Sequence, residues 1–219
     1  MTDLAISIPL LTIFAAVLFG GSANAVRAGL NSLDSRTGAI ISISATTFVY
    51  LLALPFWIKF DDLVNPGLLL FAGFGFLHPW LSRYMAYEAN RRVGATVSST
   101  FEANSPLLTA AFAVVFFGEV VTLTIAIGTL LTVAGIVWIF WNREVAVSIM
   151  RTAALLAFGA MVLRAGLVLT SKVGLTLMPN PLVGAFATYA VSLMCALSFH
   201  YVKAGGGRIP FFTRGASWF

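Results

Sequence analysis

Seven apolar runs, each long enough to cross a bilayer, take up nearly the whole chain: residues 6–30, 38–60, 66–90, 93–118, 120–141, 150–173 and 181–202. A helix spanning the hydrocarbon core needs roughly 20 mostly apolar residues. The joints between the runs are short and polar, such as residues 31–36, Asp61 with Asp62, and Arg91 with Arg92, and none houses a soluble domain. Charged residues make up 10% of the chain, against about a quarter in ordinary soluble domains. A water-soluble monomer is excluded. Cys195 is the single cysteine, so an internal disulfide scaffold is excluded too. His78 and His200 beside one cysteine give no metal-ligand cluster, and neither a metal nor a cofactor is expected. The net charge of +5 fits lipid headgroups and topology signals rather than nucleic acid.

The expected fold is therefore an all-α polytopic membrane protein with about seven transmembrane helices. The flank Met1-Thr2-Asp3 carries no Lys or Arg, and the first run is too long for a cleavable signal peptide. Trp57, Trp138 and Trp141 stand at run ends, where indole rings settle at headgroup level. The excess of Arg and Lys in the odd joints favours an external N-terminus by the positive-inside rule.

Gly21 to Leu30 and Gly166 to Leu175 share the pattern G-x5-[R/K]-x-G-L, with Arg27 and Lys172 at matching positions. The offset corresponds to five helices. An odd number of helices per unit inserts the second unit upside down, the inverted-repeat plan of many secondary transporters. On this reading residues 5–142 form a first five-helix unit and 150–219 an incomplete second one, with two helices and a loop. The expectation is a fragment, or a truncated product, of a ten-helix (5+5) protein.

The stretch from Ala89 to Ala95 reads A-x-R-R-x-G-A, followed by Pro106, by Gly118-Glu119 and Thr122, and by Gly128 and Gly135. With the first-run element ending in Arg27, where Lys is usual, this resembles the EamA module of the drug/metabolite transporter superfamily. The resemblance covers one full module and the opening two helices of a second. It implies ten helices in two inverted units around a central cavity, a cytoplasmic N-terminus opposite to that favoured by the charge count, and export or exchange of small metabolites. A chain lacking the last three helices is not expected to complete such a cavity alone.

Ionisable groups inside spans are costly unless paired or hydrated, so each is a candidate for function. Glu102 lies about 13 Å into its run at about 1.5 Å per residue, near the midplane. Ser98, Glu102, Ser105 and Thr109 recur at helical spacing, so the face they share is expected to line a hydrated cavity or hydrogen-bond to a neighbouring helix. Arg164, also deep, is a candidate counter-ion for Glu102 that would join the two repeats. Arg83 and Tyr87 sit in the third run. Glu88 is placed to pair with Arg91 and Arg92 at the interface. Pro79 deprives the Gly75 carbonyl of its donor, so a kink is expected there, with His78 meeting a freed backbone group. Arg27 and Lys172 either snorkel to the interface or contact a polar or anionic solute, and Asn24 lies one turn before Arg27. Gly118, Glu119, Gly128 and Gly135 read as turn and packing residues, Glu119 suiting the first turn of a helix. Pro106 is placed to bend or open its helix beside the polar stripe.

These features favour a secondary transporter of small polar metabolites in the plasma or inner membrane, working by alternating access, not an enzyme. Its expected partners are the lipid bilayer, the solute and a coupled ion or counter-substrate. A membrane-embedded enzyme lacks any catalytic spacing in this sequence. A seven-helix receptor or retinal pigment rests on helix count alone, since Lys172 lies near a helix end. No phosphate-loop signature is present, so ATP does not drive this chain directly.

Overall fold

The computed structural model describes residues 2–120, 122–124, 126–131, 134, 151–203 and 216–219, and among them it holds helices and no strands. Helix α1 (Thr2–Gly29) and helix α2 (Ser35–Trp57) are long and continuous. Asp34 caps α2 by accepting a hydrogen bond from the Thr37 amide at 3.3 Å. The short α3 (Phe60–Leu63) brings Asp61 and Asp62 to one end of the bundle. The later spans are α8 (Arg151–Leu177) and α9 (Pro181–Lys203), and Ala216–Trp218 forms a single 3₁₀ turn.

The third and fourth runs form broken helices. Expected as one kinked span, the third run instead divides into α4 (Pro66–Gly75) and α5 (Trp80–Val93). Pro79 has no N–H to return to Gly75, and α4 stops at that glycine. The His78–Pro79 peptide is cis. The Trp80 amide at the start of α5 donates at 2.8 Å to the Ser192 hydroxyl of α9, which satisfies an amide that a continuous helix would have bonded internally. The fourth run likewise divides, into α6 (Ala95–Ala103) and α7 (Ser105–Phe117). The break falls at Asn104, and Pro106 occupies the first turn of α7, where its missing N–H is harmless. Half of the fifth run lies outside the described residues, and within the described part 126–131 are helical.

Among the described residues, five stretches are long and apolar enough to span a membrane: Leu10–Gly29, Ser35–Trp57, Ser98–Phe117, Thr152–Leu177 and Pro181–Val202. Their outward faces suit lipid as solvent. On α1, Leu10, Leu11, Ile13 and Phe14 are all more than half exposed, whereas a soluble helix would turn such a stripe inward.

Small residues set the helix contacts. A Cβ on Gly75 would lie 2.7 Å from the Thr188 carbonyl of α9, so the two backbones touch there. Thr188 also donates its hydroxyl to the Phe71 carbonyl at 3.1 Å, where α4 has one of its last turns. The Phe71 ring fills the space above Gly174 of α8 and Gly184 of α9, and with Met178 and Val183 it forms a small apolar core. At that end Asn180 donates to Asp62 at 2.7 Å and to the Trp57 carbonyl at 2.9 Å. At the opposite end Glu88 is buried between Arg91, Arg92 and the Ser35 hydroxyl, the pairing expected from its position beside two arginines. These contacts tie α2, α4, α5, α8 and α9 into one bundle with α6 and α7 along its side.

Candidate functional site

Between the two ends the helices surround a cavity of about 410 Å³. The described helices form it among themselves, although the sequence reading expects three further helices to complete one. Each long span contributes: Phe19 and Ser22 from α1, Ser42 from α2, and Ala160, Arg164 and Leu167 from α8. Tyr189 comes from α9, Glu102 from α6, and the break before α5 supplies His78, with Ser82, Arg83, Ala86 and Tyr87 following on α5 itself. Ser82 and Ala86 stand one helical turn apart on α5 and share a face toward this space, which His78 joins from the break.

The charged groups are held at defined distances. Arg164 Nη1 lies 3.1 Å from Glu102 Oε2, and its guanidinium also sits 4.6 Å from the Phe19 ring centroid. Glu102 reaches the cavity because Asn104 ends α6 just beyond it, and Asn104 donates back to the Thr100 carbonyl at 2.9 Å. Arg83 donates from Nη1 to the Ser42 hydroxyl at 2.6 Å and from Nη2 to the Tyr189 hydroxyl at 2.8 Å. Tyr87 donates to the same Ser42 oxygen at 3.1 Å. His78 Nδ1 and Ser82 Oγ are 2.7 Å apart, and Ser82 donates to the Pro79 carbonyl at 3.0 Å. With the hydroxyl proton on that carbonyl, Ser82 accepts from His78 Nδ1–H, and Nε2 of a neutral ring remains an acceptor. The expected backbone partner of His78 is thus replaced by a side chain one turn along.

Of the candidates read from sequence, the structure brings Arg83, Tyr87, Glu102 and Arg164 to this cavity. Ser98 lines a smaller space of about 60 Å³ that shares Glu102 and Tyr87 with it, while its hydroxyl donates to the Ala86 carbonyl at 3.2 Å. Ser105 and Thr109 are not on the cavity wall, and Thr109 returns its hydroxyl to the Ser105 carbonyl at 2.8 Å. Asn24 donates to the Gly20 carbonyl within its own helix. Arg27 donates to the Asn90 and Arg91 carbonyls at 2.6 and 2.9 Å, capping the end of α5. Lys172 pairs with Glu119 and lies 4.9 Å from the Phe117 ring centroid. Gly118 adopts φ 63°, ψ 25° and ends α7, its amide returning to the Val114 carbonyl at 3.0 Å. The space beside Gly128 is open among the described residues, and Gly135 lies outside them.

Ser42 and Tyr189 are cavity residues that the sequence reading passes over. The signal for the first exists: Ser42, Thr46 and Tyr50 recur at i, i+4 and i+8 in an otherwise apolar run. Tyr50 stacks against Tyr189, with ring centroids 5.4 Å apart. Tyr189 has no polar residue four positions before or after it, and carries no such pattern.

A charged, hydroxyl-lined chamber inside an apolar bundle narrows the possible roles, and comparison with known families decides among them. Residues 6–141 match the EamA-like transporter family. The chain belongs to that family. It is a membrane transporter and not an enzyme. Neither the curated proteins nor the solved structures compared with it yield a match.

Proposed function

We propose that this EamA-like protein is a secondary transporter that moves small polar metabolites across the plasma or inner membrane by alternating access. In this reading five-helix units of opposite orientation, ten helices in all, rock about the cavity, and the energy comes from the gradient of the solute, of a coupled ion or of a counter-substrate. The observation that carries it is the chamber itself. Two guanidiniums and a carboxylate face about 410 Å³ of space inside a lipid-facing bundle, a volume suited to a small metabolite. Charges at that depth are costly unless they are hydrated or paired. The Glu102–Arg164 pair adds support, because it joins helices on either side of the repeat boundary, where transporter sites tend to lie.

The test is reconstitution of the purified chain in liposomes, with radiolabelled organic acids, amino acids, nucleosides, sugars and amines offered in turn. Saturable flux of one class, competed by its unlabelled form, supports the reading. In parallel, Ala86→Cys and Ala160→Cys, each in a Cys195→Ser background, are treated with a membrane-impermeant thiol reagent from either side. No flux of any class, together with cysteines sealed from both faces, overturns it.

A further inference from the structure

We infer that the solute is an anion, a small molecule carrying a carboxylate or a phosphate ester, and that Arg83 is the group that receives it. This inference rests on the transporter reading above. The other cation on the cavity wall, Arg164, has an acidic partner in Glu102. Arg83 has hydroxyls alone. Its guanidinium donates to Ser42 and Tyr189, reaches Thr46 at 3.5 Å, and lies 5.2 Å from the Tyr189 ring centroid. Five N–H donors are available on a guanidinium, and these hydroxyls do not use them all. The cavity wall as a whole carries one positive charge in excess of its acidic charge, before any proton on His78.

The direction of the hydrogen bonds around Arg83 sharpens the inference. The Ser42 oxygen accepts from Arg83 and from Tyr87, which fills both of its lone pairs and leaves its own hydrogen to place. The Tyr189 oxygen accepts from Arg83 and also keeps a hydrogen to donate. The nearest carboxylate on the wall, Glu102, is committed to Arg164. The surface beside Arg83 therefore presents donors and a positive charge. A group that only accepts hydrogen bonds and bears negative charge matches it, and the planar guanidinium favours the two oxygens of a carboxylate or phosphate. A cationic solute would meet like charge there, and a neutral one would leave the guanidinium unbalanced inside the membrane.

Matched solutes of equal size test this on the unaltered chain. Reconstituted into phosphatidylcholine vesicles, which offer no anionic headgroup, the protein is given lactate against lactamide, glycerol phosphate against glycerol, and ethanolamine as a cation. At least one anion is expected to move about tenfold faster than its neutral partner, the ratio expected from one charge-assisted hydrogen bond. Arg83→Gln is expected to abolish that preference, and Arg83→Lys to retain part of it. Neutral or cationic solutes carried as fast as the anions would overturn the anion assignment and leave the transporter reading standing. Absence of flux for every solute, here and in the broader panel above, would overturn both. Because the comparison of solutes needs no variant, a misfolded Arg83→Gln does not blunt the test.

Discussion

Arg164 of α8 and Glu102 of α6 meet at 3.1 Å on the cavity wall, with the Arg164 side chain 41% exposed and that of Glu102 21%. Neither is sealed in protein, so a solute or water in the cavity can reach both. An ion or solute that competes for either partner would favour the open pair over the closed one. We expect Glu102→Gln to slow transport about tenfold, equivalent to ~1.4 kcal/mol, because Arg164 is then left without its counter-charge. Adding Arg164→Met should restore thermal stability in detergent but not transport. Wild-type flux in Glu102→Gln would remove this carboxylate from the mechanism.

The same logic gives the opposite expectation for Arg27. Its guanidinium is spent on the Asn90 and Arg91 carbonyls at the end of α5 and does not line the 410 Å³ cavity. Arg27→Leu should lower the unfolding temperature through the loss of two charge-assisted hydrogen bonds, about 1.5–3 kcal/mol each before solvent compensates. The solute KM of the folded fraction should stay at the wild-type value. A raised KM with unchanged stability would instead make Arg27 a solute ligand.

What could be read ahead of the structure follows from how local each feature is. The membrane-spanning character of the chain, the turn at Gly118 and the pairing of Glu88 with Arg91 and Arg92 depend on composition or on neighbours a few residues apart. The division at Asn104 was legible through Pro106, which is placed to bend or open that helix and stands in the first turn after the break. The use of Arg27 was not legible, because its acceptors are backbone carbonyls more than 60 residues away, and carbonyls leave no mark in a sequence. The polar stripe from Ser98 to Thr109 assumes one uninterrupted helix. Once α6 and α7 separate, its members face different surroundings and Glu102 alone stays on the main cavity.

Gly94 explains the turn within A-x-R-R-x-G-A. Its backbone stands at φ 88°, ψ 165° between α5 and α6, a region essentially reserved for glycine. A Cβ there would touch nothing within 4 Å, so any penalty comes from the backbone alone. Gly94→Ala should destabilise the protein by about 1–3 kcal/mol, read as a lower unfolding temperature in detergent. An unchanged unfolding temperature would mean that the α5–α6 connection takes another conformation in the membrane.

Gly75 poses the converse case, in which space rather than conformation is limiting. A Cβ at this position would meet the Thr188 carbonyl at 2.7 Å and Val191 Cβ at 2.9 Å, while Gly73, two residues earlier, has nothing within 4 Å. The Thr188 carbonyl is backbone and cannot rotate away, so Gly75→Ala must push α4 from α9. Overpacking of this kind costs about 1–3 kcal/mol. The displacement also reaches the cavity, since Tyr189 follows Thr188 directly and receives the Arg83 hydrogen bond. Gly75→Ala should therefore lower both the unfolding temperature and transport, and Gly73→Ala should change neither by much. Equal behaviour of the two variants would show that the α4–α9 contact is not what positions Tyr189 against Arg83.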